Sequence, residues 1–158
     1  MEAGRAAARS AGTSCTRTAL AERVFIDTNV IVYADDLDAG AKRERAREIL
    51  QEVFVDGNGV VSTQVLQEFF VAATRKLAVP PEIARRKVEL LARLDVVTIE
   101  PSLILAAIDL HRLHSLSFWD ALIVQSAAAS GCRRLLTEDL QSGRSIAGVQ
   151  IEDPFASE

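Results

Sequence analysis

Apolar residues arrive along this chain in two rhythms. Short runs, Val24-Phe25-Ile26, Val60-Val61, Val96-Val97-Thr98-Ile99, Arg134-Leu135-Leu136 and Val149-Gln150-Ile151, are mostly β-branched and read as buried strands. Between them, apolar positions recur three and four apart. Ala46, Ile49, Leu50 and Val53 do so within 39–55, and Leu66, Phe69, Phe70, Ala73 and Leu77 within 64–78. Ile83, Val88, Leu91 and Leu94 follow within 82–94, then Leu105, Ile108 and Leu113 within 102–114. This spacing predicts amphipathic helices with the named side chains packed inward. A further helix, from Ser117 to a stop at Gly131, is apolar nearly all round. Turns fall where they should, at Asp56-Gly57-Asn58-Gly59, Pro80-Pro81 and Ser142-Gly143. Strands alternating with helices predict an α/β fold: a twisted parallel sheet of about five strands, helices on both faces, and Val149 to Ile151 at one edge.

Acidic residues interrupt this pattern at telling places. Asp27 ends the first strand just before Thr28-Asn29 opens a helix, so it is either a helix cap or a ligand in the crevice outside the strand ends. Asp139, after Leu136-Thr137-Glu138, carries the same two readings. Asp120 lies three residues after Ser117, as in a capping box, yet shares a helical face with Ile123, Val124 and Ala127, where a carboxylate needs a cation or several hydrogen bonds. Glu68 lies opposite the apolar stripe of its helix, which by periodicity alone is a surface position. A parallel sheet would bring Asp27, Asp120 and Asp139 to one edge, with Glu68 placed to join them. Like charges gathered in a cleft repel unless something positive sits among them. An all-oxygen donor set favours magnesium or manganese, and such an ion suits hydrolysis of a phosphodiester. His111 and His114 have the spacing of a metal pair but no acidic partner in their segment, so they read as surface or satisfied histidines.

Composition narrows the choice. With 158 residues, 49% hydrophobic and 25% charged, the chain has the makings of one globular domain, expected over 23–155. Residues 1–22 are rich in Ala, Arg, Ser and Thr and read as a disordered extension or a start codon assigned too far upstream. A net charge of −4 argues against holding nucleic acid by bulk positive charge. A polyanionic substrate would need a metal ion or a local basic patch, for which Lys42, Arg43, Arg45, Arg85, Arg86 and Arg112 are the candidates. Cys15 and Cys132 lie far apart, which fits a reducing cytoplasm, and no apolar run nears the roughly 20 residues that span a bilayer.

Four segments together carry a resemblance. Phe25-Ile26-Asp27-Thr28-Asn29-Val30, Ser62-Thr63-Gln64-Val65-Leu66-Gln67-Glu68-Phe69, Leu116-Ser117-Phe118-Trp119-Asp120-Ala121-Leu122-Ile123 and Leu136-Thr137-Glu138-Asp139-Leu140 resemble, in order, the acidic motifs of PIN-domain proteins of the VapC-type toxin ribonuclease group. The resemblance implies a three-layer α/β/α fold and a magnesium- or manganese-dependent endoribonuclease, the toxin of a toxin–antitoxin pair. It implies that Asp27, Glu68, Asp120 and Asp139 hold the metal, Asn29 and Thr137 assisting, with a homodimer and a small cognate antitoxin as partners. Two other families that gather acids at strand ends fit less well. A receiver domain needs an acidic pair after the first strand and an Asp after the third, where Thr98-Ile99-Glu100 stands. An Asp-x-Asp phosphotransferase needs an acid where Asn29 is. The alternative that remains is a non-catalytic module binding RNA or protein through an acidic groove.

Overall fold

The computed structural model describes residues 21–156. The extension expected over 1–22 falls outside them except for its last two residues, as does Cys15.

The elements are β1 (Val24–Ile26), α1 (Thr28–Asp35), α2 (Ala41–Asp56), β2 (Gly59–Ser62), α3 (Thr63–Arg75), α4 (Pro81–Leu91), β3 (Asp95–Val97), α5 (Pro101–His114), α6 (Phe118–Ala129), β4 (Arg134–Leu136), β5 (Ser145–Ile146) and β6 (Val149–Glu152). They form one sheet in the order β3-β2-β1-β4-β6-β5. The first five strands in that order are mutually parallel, as expected, and β5 runs antiparallel to β6. β6 is therefore not the edge strand that the sequence predicts. Ile146 pairs with Val149 across Ala147 and Gly148, both at positive φ, which is the two-residue hairpin that matches the twist of the strands it joins. A strand of two residues has no periodicity to betray it.

The core is Phe25 and Ile26 on β1, Val60 and Val61 on β2, Leu135 on β4 and Ile151 on β6, covered by Val30, Val65, Phe69 and Val124 from the helices. Strand order reverses direction at β1, which has β2 on one side and β4 on the other. Connections leave such a switch point in opposite directions and open a crevice at the carboxyl ends of the strands. The register pairs Ile26 with Leu136, so Asp27 and Thr137, the next residue of each strand, stand side by side though 110 positions apart.

On α4 the expected inward residue Ile83 is exposed and its neighbour Ala84 is buried instead, and two other helices turn further from their predicted stripes. On α3 the buried side chains are Gln64, Val65, Phe69 and Ala73, whereas Phe70 is exposed and Leu66 only half-buried. The inward face is thus rotated by about one residue, roughly 100°, and Glu68 comes to its margin. On α5, Leu105, Ile108 and Leu113 point outward, and Ala107 and Leu110 do the packing. Long side chains suggested a core that the smaller Ala107 in fact occupies.

Candidate active site

Everything at the switch point is arranged around the first turn of α1. Asp27 caps that helix, its Oδ1 accepting from the Thr28 N–H at 2.7 Å, and it is 6% exposed. The Thr137 hydroxyl donates to Asp27 Oδ2 at 2.7 Å and accepts from the Asp139 N–H and from Asn29 Nδ2, each at 3.1 Å. A hydroxyl has one proton and two lone pairs, and here all three are used. The Asn29 amide also reaches Asp139 Oδ2 at 2.9 Å and Asp27 Oδ2 at 3.3 Å. Glu68 closes the other side: its Oε2 accepts from the Thr28 hydroxyl at 2.7 Å and its Oε1 from Gln64 Nε2 at 2.8 Å.

Three of the four acids singled out by sequence, Asp27, Glu68 and Asp139, are therefore brought together, and every donor bonded to them is neutral. The consequence falls on Asp27. Burial pushes its carboxyl up to about 6, the charges of Asp139 and Glu68 push the same way, and the bonds from Thr137 and Thr28 resist. Of its two sequence readings, Asp27 fulfils the cap and is also the centre of the cluster. Asp139 sits in a bend and caps no helix. Glu68 is half-buried, contrary to its surface periodicity, because α3 is rotated.

Asp120 behaves otherwise. It is half-exposed, accepts from the Ser117 hydroxyl at 2.6 Å, and returns the bond through its own N–H to Ser117 Oγ at 3.0 Å. The Ser117 cap of α6 accounts for these contacts, with the carboxylate closing on the Ser117 hydroxyl, and the expected burial against Ile123 and Val124 does not occur. Its helix is nonetheless tied to the cluster, since Gln64 Nε2, the donor to Glu68, also lies 3.4 Å from the Trp119 carbonyl. Gln64 and Thr28 are the partners that sequence reasoning missed. Gln64 precedes Glu68 by one helical turn on the same face, the signal that could have found it.

Among the described residues, no group of three or more Asp, Glu, His or Cys is arranged to hold a metal ion as the side chains stand. The chemistry of the site fits a hard divalent cation all the same: its oxygens are those of carboxylates and hydroxyls, and no lysine or arginine is bonded to Asp27, Glu68 or Asp139. His111 bonds the Leu116 carbonyl at the end of α5, as a satisfied histidine does.

The cluster opens into a cleft of about 1330 Å³. Of the basic residues expected to meet RNA, Arg43 lines it; Arg75, Lys76 and Lys87, outside that expectation, line it too. Lys87 is paired with Asp35. Lys42 is paired with Glu138, and Arg45 and Arg85 with Glu48 and Glu89 on their own helices.

The sequence profile of the PIN domain matches residues 24–144. The chain belongs to the PIN domain family. Among solved structures, this PIN domain is similar to a toxin–antitoxin complex from Klebsiella pneumoniae, with 20% identity, 84% of this chain and 98% of that chain covered, and a TM-score of 0.63. It is similar to the DNA-bound VapBC of Salmonella typhimurium, at 22% identity over 84% of this chain and 98% of that one, TM-score 0.62. A third likeness is to VapC20 of Mycobacterium tuberculosis, a toxin that cleaves the sarcin–ricin loop, at 18% identity over 71% and 86% of the chains, TM-score 0.58. No curated protein matches this PIN domain in sequence.

Proposed function

We propose that this PIN domain is a magnesium- or manganese-dependent endoribonuclease, the toxin of a toxin–antitoxin pair acting in the cytoplasm. The observation that carries the reading is the state of Asp27: a carboxylate 6% exposed, with Glu68 and Asp139 beside it and only neutral donors around it. Such a group calls for a cation that the chain does not itself supply. Asp27, Glu68, Asp139 and Asp120 would hold it, Asp120 being the one acid tied in only through Gln64. A divalent ion in such a site supplies an acidified water as nucleophile and neutralises charge on the phosphate. The chain's own part is orientation. Thr137 fixes the Asp27 oxygen that faces Asn29, Asn29 spans Asp27 and Asp139, and Thr28 with Gln64 fixes both oxygens of Glu68. Arg43, Arg75 and Lys76 in the cleft would take the phosphates flanking the scissile bond, contacts that position RNA without choosing its sequence.

The toxin role draws support from the fold likeness to VapC20 and to two toxin–antitoxin assemblies. The outward side chains of Leu105, Ile108 and Leu113 on α5 offer an apolar face suited to a homodimer. An antitoxin with a basic tail would complement the acidic cleft. No helix among the described residues is long and apolar enough to cross a membrane.

The competing reading, a binding module without catalysis, has one observation in its favour: the acids are satisfied by Thr28, Asn29, Gln64 and Ser117 as they stand. Incubation of the purified chain with structured RNA decides between them. Cleavage that appears with manganese, stops with chelator and is absent from Asp27→Asn is the expected result. Cleavage that survives chelation, or never appears, overturns the enzyme.

A further inference from the structure

Trp119 is the sole tryptophan of the chain, and it is 62% exposed. Tryptophan is on average a highly buried residue, so an indole left in water at the start of a helix asks for a partner. Its location says which. Trp119 lines the same cleft as Glu68, Asp139, Arg43 and Arg75, and it adjoins Asp120 in the chain. Its backbone is not free to wander, because its carbonyl lies within reach of the Gln64 amide that also holds Glu68. The Phe118 ring meets it nearly edge-on, centroids 5.2 Å apart and planes at 65°, and so braces an indole that stays largely open to solvent.

We propose that Trp119 is a stacking platform for one unpaired base of the RNA, next to the phosphate that enters the acid cluster. The proposal rests on the ribonuclease reading and adds to it the residue that would hold a base at the cleavage point, which requires the strand to be unpaired there. In a duplex both faces of a base are already stacked and cannot be offered to an aromatic ring. Every base has a π-face, so the contact holds any base without hydrogen-bond readout, while the basic side chains of the cleft hold the backbone on either side. A protein partner covering the indole is the rival occupant. The shared cleft with the acids and with Arg43 and Arg75 favours nucleic acid.

Since no other tryptophan contributes, the fluorescence of the full chain reads this residue directly. A short single-stranded RNA oligonucleotide, titrated in chelator so that it stays intact, should quench the emission saturably, and a blunt duplex of the same sequence should leave it unchanged. Trp119→Ala should weaken binding of the single strand about 5- to 150-fold, the range that loss of one stacked base gives. Trp119→Phe should restore most of it, which a merely structural defect would not allow. Far-UV circular dichroism checks that both variants fold. The platform is overturned if the parent binds RNA and Trp119→Ala binds it equally well, or if duplex quenches as strongly as single strand. It is overturned too by emission that changes with protein concentration and not with RNA, which assigns the indole to contact between copies. A parent chain that neither binds nor cleaves RNA removes the ribonuclease reading itself, a result distinct from all of these.

Discussion

Asp27 and Glu138 lie on two sides of Asn29 and meet opposite fates. Glu138 receives Lys42 from α2 and lies beside the Tyr33 hydroxyl, and the bonds from these two hold its carboxyl below the usual range. The ammonium of Lys42 sits over the Tyr33 ring at 4.9 Å and near the Phe155 ring at 5.8 Å, themselves edge to face, so the pair is built into an aromatic corner that joins the last strand's exit to α1. Asp27 is the more deeply buried of the two and has the greater need of a counter-charge, yet hydroxyls and amides are all it gets. The chain can thus deliver a lysine to a carboxylate in this crevice, and does so one residue away from Asp139. Withholding one from Asp27 leaves room and charge for an ion from solution.

The largest test of that contrast is activity. Asp27→Asn keeps the size and the cap of the side chain and removes its charge. Metal-dependent RNA cleavage should fall by roughly 100-fold or more, the order seen when a preorganised electrostatic group is lost from a site. Glu138→Gln, next door, should retain most of it. Equal losses in single-turnover assays would erase the distinction.

Stability against pH sharpens it next. Asp27 has a folded pKa of about 6 against 3.8 for the ordinary group, so between these values the folded state binds a proton that the unfolded state releases. Its contribution to stability is whole below pH 4 and is lost as pH rises through 6, by at most about 3 kcal/mol. Glu138 runs the other way, since its pKa is lowered: it stabilises above its unfolded pKa and loses that contribution as pH falls. Denaturant midpoints between pH 4 and 8 in chelator, taken as the difference between the parent and Asp27→Asn, should show the parent losing ground with rising pH. Manganese should return it by binding the folded state. A difference that is flat with pH, or that slopes upward, contradicts the burial of an ionised Asp27.

Thr137→Val comes third. It leaves Asp27 Oδ2 short of a donor, and the Asp139 N–H and one Asn29 proton short of an acceptor, in a place where Thr137 has no exposure at all. The expected cost is about 1–3 kcal/mol in chemical denaturation, with Thr137→Ser recovering most of it. A cost near zero would mean that water replaces the hydroxyl, and that the cluster is wetter than its burial implies.

How much of this could be read before the fold was seen depends on the residue. Five strands and the acids after the first and fourth of them, Asp27 and Asp139, were legible, because β-branched runs and strand-to-helix junctions are local signals. Asp27 and Asp139 were each legible as cap or ligand and were expected at one edge of the sheet; the register of β1 on β4 is what sets Asp27 beside Thr137 and, through Asn29, beside Asp139. Glu68 was misread by periodicity: Leu66 and Phe70 outweighed Val65 in hydrophobicity, while packing buried Gln64 and Val65 beside Phe69 and Ala73 and turned the helix. The same error hid the outward face of α5, where Leu105 and Ile108 looked like core. β5 was invisible because two residues carry no pattern. Asp120 was the reverse case. The Ser117 cap, a purely local rule, described its contacts better than the helical face did.

The smallest effect belongs to the lysine that Asp27 lacks. Lys42 and Glu138 are both partly open to solvent, and an ion pair in such a place adds little to stability, because water already serves each charge well. Lys42→Met keeps the aliphatic stem against Tyr33 and Phe155, so the aromatic corner should survive and thermal stability should barely move. Cleavage should stay within a few fold of the parent, since Lys42 is committed to Glu138 and bonds none of the clustered acids. The informative readout is metal dependence. If Lys42→Met shifts the manganese concentration for half-maximal cleavage as far as Thr137→Val does, Lys42 already acts as a cation of the site, and the division between a self-neutralised carboxylate and one that waits for an ion no longer holds.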